Sequence, residues 1–522
     1  MKHLLTVIII FFVIFNSRGQ NITNTLGSLG NFTIKDASNT YMSLSQSTGN
    51  LSLNRGLNLL LTSSATTGII FKGGTRFIHD FAPPGAFGSN VFIGIGAGNF
   101  TMVFTGNTLN SSFNTSVGSS TLASLTSGAN NSAFGYTSMF DNTSGNNNSA
   151  FGHSSLNNNT TGGSNSSFGF ESLFNNFSAS SNLSFGYQNL KANTTGDQNS
   201  AFGSQSMWTN STGSFNCSFG FQSLLGNTTA SRSSAFGYQS LTSNNGINNN
   251  AFGYQSLQLS NGGVENCAFG NLSLVNNSNG SQNSAFGNNT LTSNTTGLNN
   301  SAFGNDAGTN VTTGSNLTLI GFNAEPTSGI ATNQVTLGNS FVSSLRCAVT
   351  TITSLSDARD KKNIHDLNLG LGFISKLKPR IYNWDKREWY DNNVSDGSKM
   401  QETPTAGFIA QELDEAQTSE NAEWLRLVLK DNHEKWEATP GNLLPIMVKA
   451  IQELNEKCDS LQNENNILAS KLDEVGELKK KLEMLTFQIE NLNIKTDEIK
   501  RSSDNIKREE NNLQVISNEN SK

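Results

Sequence analysis

A 17-residue repeat constrains the fold of this chain more than any other feature. From Asn131 onward the sequence returns to versions of the motif Asn-Ser-Ala-Phe-Gly. The glycine that ends the motif lies at positions 118, 135, 152, 169, 186, 203, 220, 237, 253, 270, 287, 304 and 321. Every step is 17 residues except the step from 237 to 253, which is 16. A fixed period is typical of a solenoid in which each repeat forms one coil.

Composition is compatible with a solenoid and unfavourable for several ordinary globular cores. Of the 522 residues, 14% are charged and 35% are hydrophobic, and nine charged residues lie between positions 91 and 350. Composition alone would also fit a disordered Asn/Ser-rich tract. Disorder, however, does not require Phe and Gly to return in register. The sequence therefore predicts a mainly β repeat over residues 91–340, preceded by an N-terminal β region over 20–90.

The repeat also predicts how each coil is built. We expect a strand of seven or eight residues per coil, a core carried by the motif phenylalanine, and tight corners at Asn-Thr-Thr-Gly sequences such as 294–297. At about 4.8 Å per coil, the run from Gly118 to Gly321 would form a rod of roughly 60 Å. So thin a coil buries little apolar surface, which favours association of several chains.

The N-terminus has the pattern of a secretory signal peptide. An apolar run from Leu4 to Phe15 follows Lys2, and we expect cleavage after Gly19, so that residues 1–19 are removed. About 12 apolar residues are fewer than the roughly 20 needed to span a bilayer, and no span is expected in the mature chain. Asn-x-Ser/Thr triplets are abundant. They indicate either glycosylation after secretion or the chance product of an Asn/Ser/Thr-rich repeat, and both readings stay open.

Two of the four cysteines occupy the same slot of the repeat. Cys217 and Cys267 are three coils apart, which corresponds to about 14 Å at strand spacing. A disulfide cannot bridge that distance within one chain. We therefore predict small buried residues at both positions.

The repeats resemble the head repeats of trimeric autotransporter adhesins and of related phage and giant-virus fibres. The resemblance rests on NSAFGYQSL followed by NTTG, on VFIGIGAGN at 91–99 and on NQVTLGNS at 333–340. It implies a trimeric left-handed parallel β-roll, an extracellular, virion or cell-surface location, and a cell-surface glycan or receptor as partner. The chain departs from the adhesin pattern in using Phe where those repeats favour Val or Ile.

A different kind of sequence follows the connector at 341–353. Residues 354–446 mix charge and hydrophobicity and predict a compact α/β domain. Three ordered segments, SLSDARDKKNIHDLNLGLGF from Ser354, GFIAQELDEAQ at 407–417 and NLLPIMVKAIQEL at 442–454, resemble the intramolecular chaperone domain of endosialidases and phage tail spikes. The resemblance implies that this domain promotes trimerisation and then cleaves the chain at its own N-terminal edge.

That family cleaves itself with a serine and a lysine in the pattern Ser-Asp-x-Arg-x-Lys. The matching residues here are Ser356, Asp357, Arg359 and Lys361, with Asn363 as further support for the motif. The resemblance implies that Ser356 is the nucleophile, Lys361 the general base, and the bond between Leu355 and Ser356 the substrate.

The chemistry of such a pair depends on the charge of the lysine. A serine hydroxyl is a weak nucleophile until a base removes its proton, and a lysine can act as that base only when neutral. Burial and neighbouring positive charge from Arg359 and Lys362 favour the neutral form of Lys361, whereas Asp360 opposes it. Lys362 and His365 are the alternative bases. Spacing alone would not distinguish this pair from any two residues on a solvated surface.

Residues 447–500 predict a coiled coil, and residues 501–522 a disordered tail. The expected core positions follow alternating steps of three and four up to Val475, contain a polar Asn465 that would set the register, and resume after a stammer. They are Met447, Ile451, Leu454, Cys458, Leu461, Asn465, Leu468, Leu472, Val475, Leu478, Leu482, Leu485, Ile489 and Leu492. A homotrimer would match the predicted head.

Taken together, the sequence predicts a secreted, trimeric, adhesin-like fibre with a self-cleaving C-terminal chaperone. The main alternative is a structural spacer fibre with an uncleaved trimerisation domain. A glycan-degrading enzyme of the endosialidase type is disfavoured, because residues 20–90 are too few for a catalytic domain and contain no convincing acid pair. The scattered histidines predict no metal cluster, and no motif predicts a cofactor or nucleic-acid binding.

Overall fold

The computed structural model describes residues 31–45, 47–53, 57–348, 352 and 354–519. The chain divides into two compact units, Met1–Ser344 and Leu345–Lys522. The predicted signal peptide lies outside the described residues. Within the described ranges, no helix has the length and apolar character required to cross a membrane.

Antiparallel strands precede the solenoid. One three-stranded sheet pairs the first strand with the second and the second with the third. A hairpin of the fourth and fifth strands then pairs through the fifth with the first solenoid strand. These strands are β1 (Asn31–Lys35), β2 (Thr40–Ser45), β3 (Leu51–Leu53), β4 (Ile70–Lys72) and β5 (Thr75–His79).

The repeats form a parallel β-solenoid in which each coil contributes one strand that pairs with the strands of the coils before and after it. The strands are β6 (Val91–Ile93), β7 (Thr115–Val117), β8 (Ser132–Phe134), β9 (Ser149–Phe151), β10 (Ser166–Phe168), β11 (Leu183–Phe185), β12 (Ser200–Phe202), β13 (Cys217–Phe219), β14 (Ser234–Phe236), β15 (Asn250–Phe252), β16 (Cys267–Phe269), β17 (Ser284–Phe286), β18 (Ser301–Phe303), β19 (Ser315–Ile320) and β20 (Thr332–Leu337). The predicted β-repeat architecture is confirmed. The 16-residue step leaves the pairing intact, since Phe236 still pairs with Phe252.

The strands β6–β18 are shorter than predicted, because turns make up most of each coil. Each has three residues rather than seven or eight. Three non-glycine residues of a typical coil adopt left-handed backbone conformations, as at Thr137 (φ 52°), Met139 (φ 51°) and Asn147 (φ 60°). Extended structure cannot continue through such residues. The coil therefore closes through tight corners on both sides of a short strand.

The motif phenylalanine does not carry the core, contrary to the prediction. The interior is filled by leucine or methionine, as at Leu190 and Met207, and by the motif alanine, as at Ala201, all fully buried. Successive strand residues point to opposite faces, so an inward alanine places the next residue, Phe202, outside. The motif rings instead stack on one another along the outer surface, with centroids 4.2–6.2 Å apart.

Two ladders of buried asparagines run through the interior. In the first, Asn199 donates its backbone N–H to Oδ1 of Asn182 at 2.9 Å, and its own Oδ1 accepts from the backbone N–H of Asn216 at 3.0 Å. In the second, Nδ2 of Asn193 donates to Oδ1 of Asn176 at 2.9 Å. Most of these amides thus join one coil to the next and satisfy polar groups that burial would otherwise leave unpaired. Ser260 interrupts the second ladder, and Nδ2 of Asn277 donates instead to the carbonyl oxygen of Gly280 in its own coil.

Cys217 and Cys267 begin strands β13 and β16, three strands apart, as their shared repeat slot predicts. Both are free thiols and are partly rather than fully buried. Their partial burial raises the pKa of each thiol.

The C-terminal unit contains a small mixed α/β region. Its two-stranded antiparallel sheets pair β21 with β22 and β23 with β24. Its core includes Phe373, Leu413, Leu427 and Leu443. The elements are β21 (Arg380–Tyr382), β22 (Thr405–Gly407), β23 (Val428–Leu429), β24 (Glu437–Ala438), α1 (Leu371–Ile374) and α2 (Ala410–Ser419).

A single long helix, α3 (Leu444–Glu519), completes the C-terminal unit. Its first turns belong to the α/β core, because Ile446 and Ala450 are buried there. Beyond them, the apolar residues at the predicted coiled-coil positions are exposed in the single chain. The helix continues through 501–519, where the sequence predicts a disordered tail. Good helix formers such as Lys507, Arg508 and Glu509 favour it, and Ile506 and Leu513 continue an apolar position at a spacing of seven residues.

We expect Gly203→Ala to destabilise the solenoid by at least about 2 kcal/mol. Gly203 has φ +124°, and a Cβ there would lie 2.4 Å from the carbonyl oxygen of Gly220. Gly262→Ala is the matched control, because the nearest atom to its added Cβ is the side-chain Oδ1 of Asn279 at 3.1 Å. Thermal unfolding should show a lower midpoint for the first variant only. Equal midpoints would contradict this account of the repeat glycine.

Candidate functional site

The predicted cleavage motif lies in an exposed segment at the start of the C-terminal unit. Residues 354–366 are all exposed in the single chain, and Leu355 is fully so. A short 3₁₀ turn at Ala358–Asp360 organises this segment. The chain then enters the α/β core, where Leu367 and Leu369 pack against it.

Asp357 and Arg359 shape the turn. Oδ1 of Asp357 accepts the backbone N–H of Arg359 at 2.8 Å, which caps the N-terminus of the turn. The guanidinium of Arg359 returns to the same carboxylate, with Nη2 2.6 Å from Oδ2. These hydrogen bonds from Arg359 lower the pKa of Asp357, and the carboxylate raises the pKa of Arg359 in turn. The aspartate and arginine of the motif are therefore occupied with each other.

The turn brings the predicted nucleophile and base together. Nζ of Lys361 donates a hydrogen bond to Oγ of Ser356, with 2.5 Å between the two atoms. The five-residue separation is spanned because Lys361 follows the turn directly and donates its backbone N–H to the carbonyl oxygen of Ala358 at 3.2 Å. The cap, the turn and the lysine contact form one local arrangement.

The other motif candidates lie around this contact. Asp360 donates its backbone N–H to the carbonyl oxygen of Asp357, and its side chain is exposed, as are those of Lys362 and His365. Among the described basic groups, Lys361 is the one that forms a hydrogen bond to the serine hydroxyl. Asn363 adopts φ +54°, a conformation that asparagine tolerates well, and turns the chain away after the motif.

Two contacts that the sequence did not predict connect the C-terminal unit internally. The backbone N–H of Leu371 donates to Oε2 of Glu453 on α3 at 2.7 Å. Arg380 on β21 pairs with Glu412 on α2, and this contact lowers the pKa of Glu412 and raises that of Arg380. Glu453 lies outside the predicted apolar seam, and no sequence pattern linked it to Leu371.

One protein family matches part of this unit. Residues 356–421 match the model of a peptidase family described as "Chaperone of endosialidase". No curated protein and no solved structure matches the chain. The match begins at Ser356, the residue whose hydroxyl contacts Lys361. This match supports the predicted order of segments, because the residues that resemble the chaperone of endosialidase follow the β-solenoid in the chain.

Proposed function

We propose that this chain forms a secreted trimeric fibre whose C-terminal domain assembles three copies and then cleaves the bond between Leu355 and Ser356 once. The observation that carries the proposal is the 2.5 Å contact of Lys361 with Ser356 at the first residue of the family match. The peptidase family supports self-cleavage in general.

The reaction needs no group from outside the chain except water. Neutral Lys361 accepts the hydroxyl proton of Ser356 as Oγ attacks the carbonyl carbon of Leu355. The carbon–nitrogen bond then breaks, and the released amine of Ser356 takes the proton from the lysine. Water hydrolyses the resulting ester and leaves a carboxylate on Leu355 and a free hydroxyl on Ser356. One bond is cut per chain, so the reaction serves assembly rather than turnover.

Assembly would control the reaction through burial. The motif is exposed in the single chain, and Lys361 can act as the base only in its neutral form. Packing of neighbouring chains over this segment would disfavour the charged form and free the amine to act as a base. Cleavage would therefore follow correct association.

The long helix provides the means of association. Apolar residues such as Leu461, Leu468 and Leu472 recur at coiled-coil spacing and are exposed in the single chain. The start of α3 is part of the chaperone core through Ile446. Helices that associate would thus gather three chaperone domains at one place, and with them three copies of the cleavage motif.

Release of residues 356–522 would leave the fibre kinetically trapped. The solenoid depends on contacts between successive coils and proposed contacts between chains, so its formation from separate chains is slow. A removable template lowers that barrier during assembly, and its loss prevents refolding afterwards. An extracellular, virion or cell-surface location suits such a product, and attachment to glycans or receptors would be its role.

We expect wild-type protein to separate into a fragment ending at Leu355 and a fragment beginning at Ser356, identified by intact mass and N-terminal sequencing. Ser356→Ala removes the nucleophile and Lys361→Ala removes the base, so both should remain uncut while still trimeric. Lys362→Ala is the matched control, because that lysine neighbours the base without contacting the serine, and it should cleave.

Uncut wild-type trimers would exclude self-cleavage and leave a structural fibre with a permanent trimerisation domain. If the Lys361→Ala variant cleaves and the Lys362→Ala variant does not, the general base is Lys362. Cleavage that survives both variants but is lost on His365→Ala would assign the base to that histidine.

We expect Leu468→Lys to prevent trimer formation and cleavage, because a charge would enter the proposed helix seam. Ile467→Lys is the control: Ile467 is 56% exposed in the single chain and Leu468 61%, yet Ile467 lies off the seam. Light scattering measures the mass of the assembly, and denaturing electrophoresis measures the fraction of chains cleaved between Leu355 and Ser356. Cleavage by a monomeric Leu468→Lys protein would show that association does not control the reaction.

A further inference from the structure

An unbroken column of apolar side chains runs along the outside of the solenoid. It occupies the last outward position of each short strand, and strand pairing places each member beside the next. We call it the outer column. Its members are Ile93, Val117, Phe134, Phe151, Phe168, Phe185, Phe202, Phe219, Phe236, Phe252, Phe269, Phe286, Phe303, Ile320 and Leu337.

The rings of the outer column present their edges. Phe151 stacks on Phe168 with centroids 5.0 Å apart and an interplanar angle of 2°, and Phe286 stacks on Phe303 in the same way. Stacking covers the ring faces with the neighbouring rings and leaves the edges exposed. A sugar ring that binds an aromatic side chain lies on the ring face, so this surface is poorly suited to glycans. Ring edges pack well against another apolar surface.

The outer column exposes an apolar strip at the upper end of what a typical monomer shows. Five of its eleven phenylalanines are 36–51% exposed and the other six are less exposed, so at about 200 Å² per side chain the strip presents on the order of 600 Å². The largest apolar patch on a typical monomer is about 300–600 Å², whereas a standard interface takes about 800 Å² from each partner. A strip of this size indicates contact with another protein surface.

Other columns of the same coils do not share this character. Two residues beyond the outer column, a second row of rings runs from Tyr136 to Tyr254, where Ser204 interrupts it, and asparagines follow from Asn271 to Asn305. About half a coil away lies a column of threonines in which Phe177 stands between Thr160 and Thr194. Apolar continuity over the whole length is a property of the outer column.

The partner that fits this strip is another copy of the chain. A second solenoid has the same rise per coil, so a contact made in one coil repeats in every coil. The column contains no charged residue, so copies can approach without burying unpaired charge. Both ends of the column are apolar as well, which extends the same contact from β6 to β20.

We propose that the three solenoids of the fibre pack against one another through the outer column. This inference rests on the proposed trimer and specifies which surface joins its members. The adhesin-like surfaces of the fibre would then be the polar and mixed columns, which remain exposed after assembly.

Photocrosslinking tests the proposal without disturbing the fold. Benzoylphenylalanine replaces Phe185 of the outer column, which is 51% exposed, or Phe177 of the threonine column, which is 47% exposed. The full-length chain carrying Ser356→Ala is irradiated, so that every species keeps its C-terminal unit. We expect crosslinked dimers and trimers when the photoreactive residue is at position 185. We expect no crosslinked species when it is at position 177.

The outcomes separate the inference from the proposed function. A trimeric mass with crosslinks from position 177 alone, or equally from both, would overturn the outer-column interface and leave the trimer intact. A monomeric mass before irradiation would overturn the trimer itself. A glycan adduct at position 185 would overturn the interface in favour of a binding surface.

Substitution gives a second readout on the released fibre. We expect the cleaved wild-type fragment to migrate as a trimer in detergent at room temperature and the Phe185→Lys fragment to migrate as single chains, because the lysine places a charge inside the interface. Phe177→Lys should leave the resistance unchanged. A resistant Phe185→Lys trimer would contradict the proposal.

Discussion

The asparagine ladders are the interaction on which the solenoid depends. Most of the buried amides bond to their equivalents in neighbouring coils, as Asn199 does with Asn182 and Asn216. A buried polar group left unpaired costs about 1–3 kcal/mol, so a slip between coils would be penalised throughout the stack. The slot at Ser233 shows the tolerance of the ladder, since its backbone N–H still donates to Asn216 at 3.0 Å. The ladders set the register, and the register places every column on the outer surface.

The same geometry explains why the fibre would need help to form. A typical coil contains three non-glycine residues with left-handed backbone conformations, each costing about 1–2 kcal/mol. One of them carries the buried leucine or methionine, so the strain is offset only when neighbouring coils cover that side chain. An isolated coil therefore has little stability, and nucleation is the difficult step. A C-terminal domain that gathers chains before the coils stack would remove that difficulty.

The sequence predicted the architecture better than its packing. The constant period was sufficient for a solenoid, and ordered motifs were sufficient for a chaperone domain after it. The prediction that phenylalanine carries the core was wrong, because periodicity does not state which way a side chain points. The short strand settles this: alanine turns inward, and Phe202 turns outward onto its neighbours. At the candidate site the residue types were predicted, whereas the Asp357 cap that brings Lys361 to Ser356 was not.

The sequence by itself determined the repeat length and the order of the segments, and it supplied the candidate serine and lysine, because each is a property of the chain read in one dimension. The tertiary structure decided which residues fill the interior, which form the outer column, and how Glu453 reaches Leu371 across the C-terminal unit. These depend on backbone conformations at single residues and on contacts between distant segments. The backbone conformation at each turn sets which side chains face the interior and which face outward, and the periodicity of the sequence does not specify it.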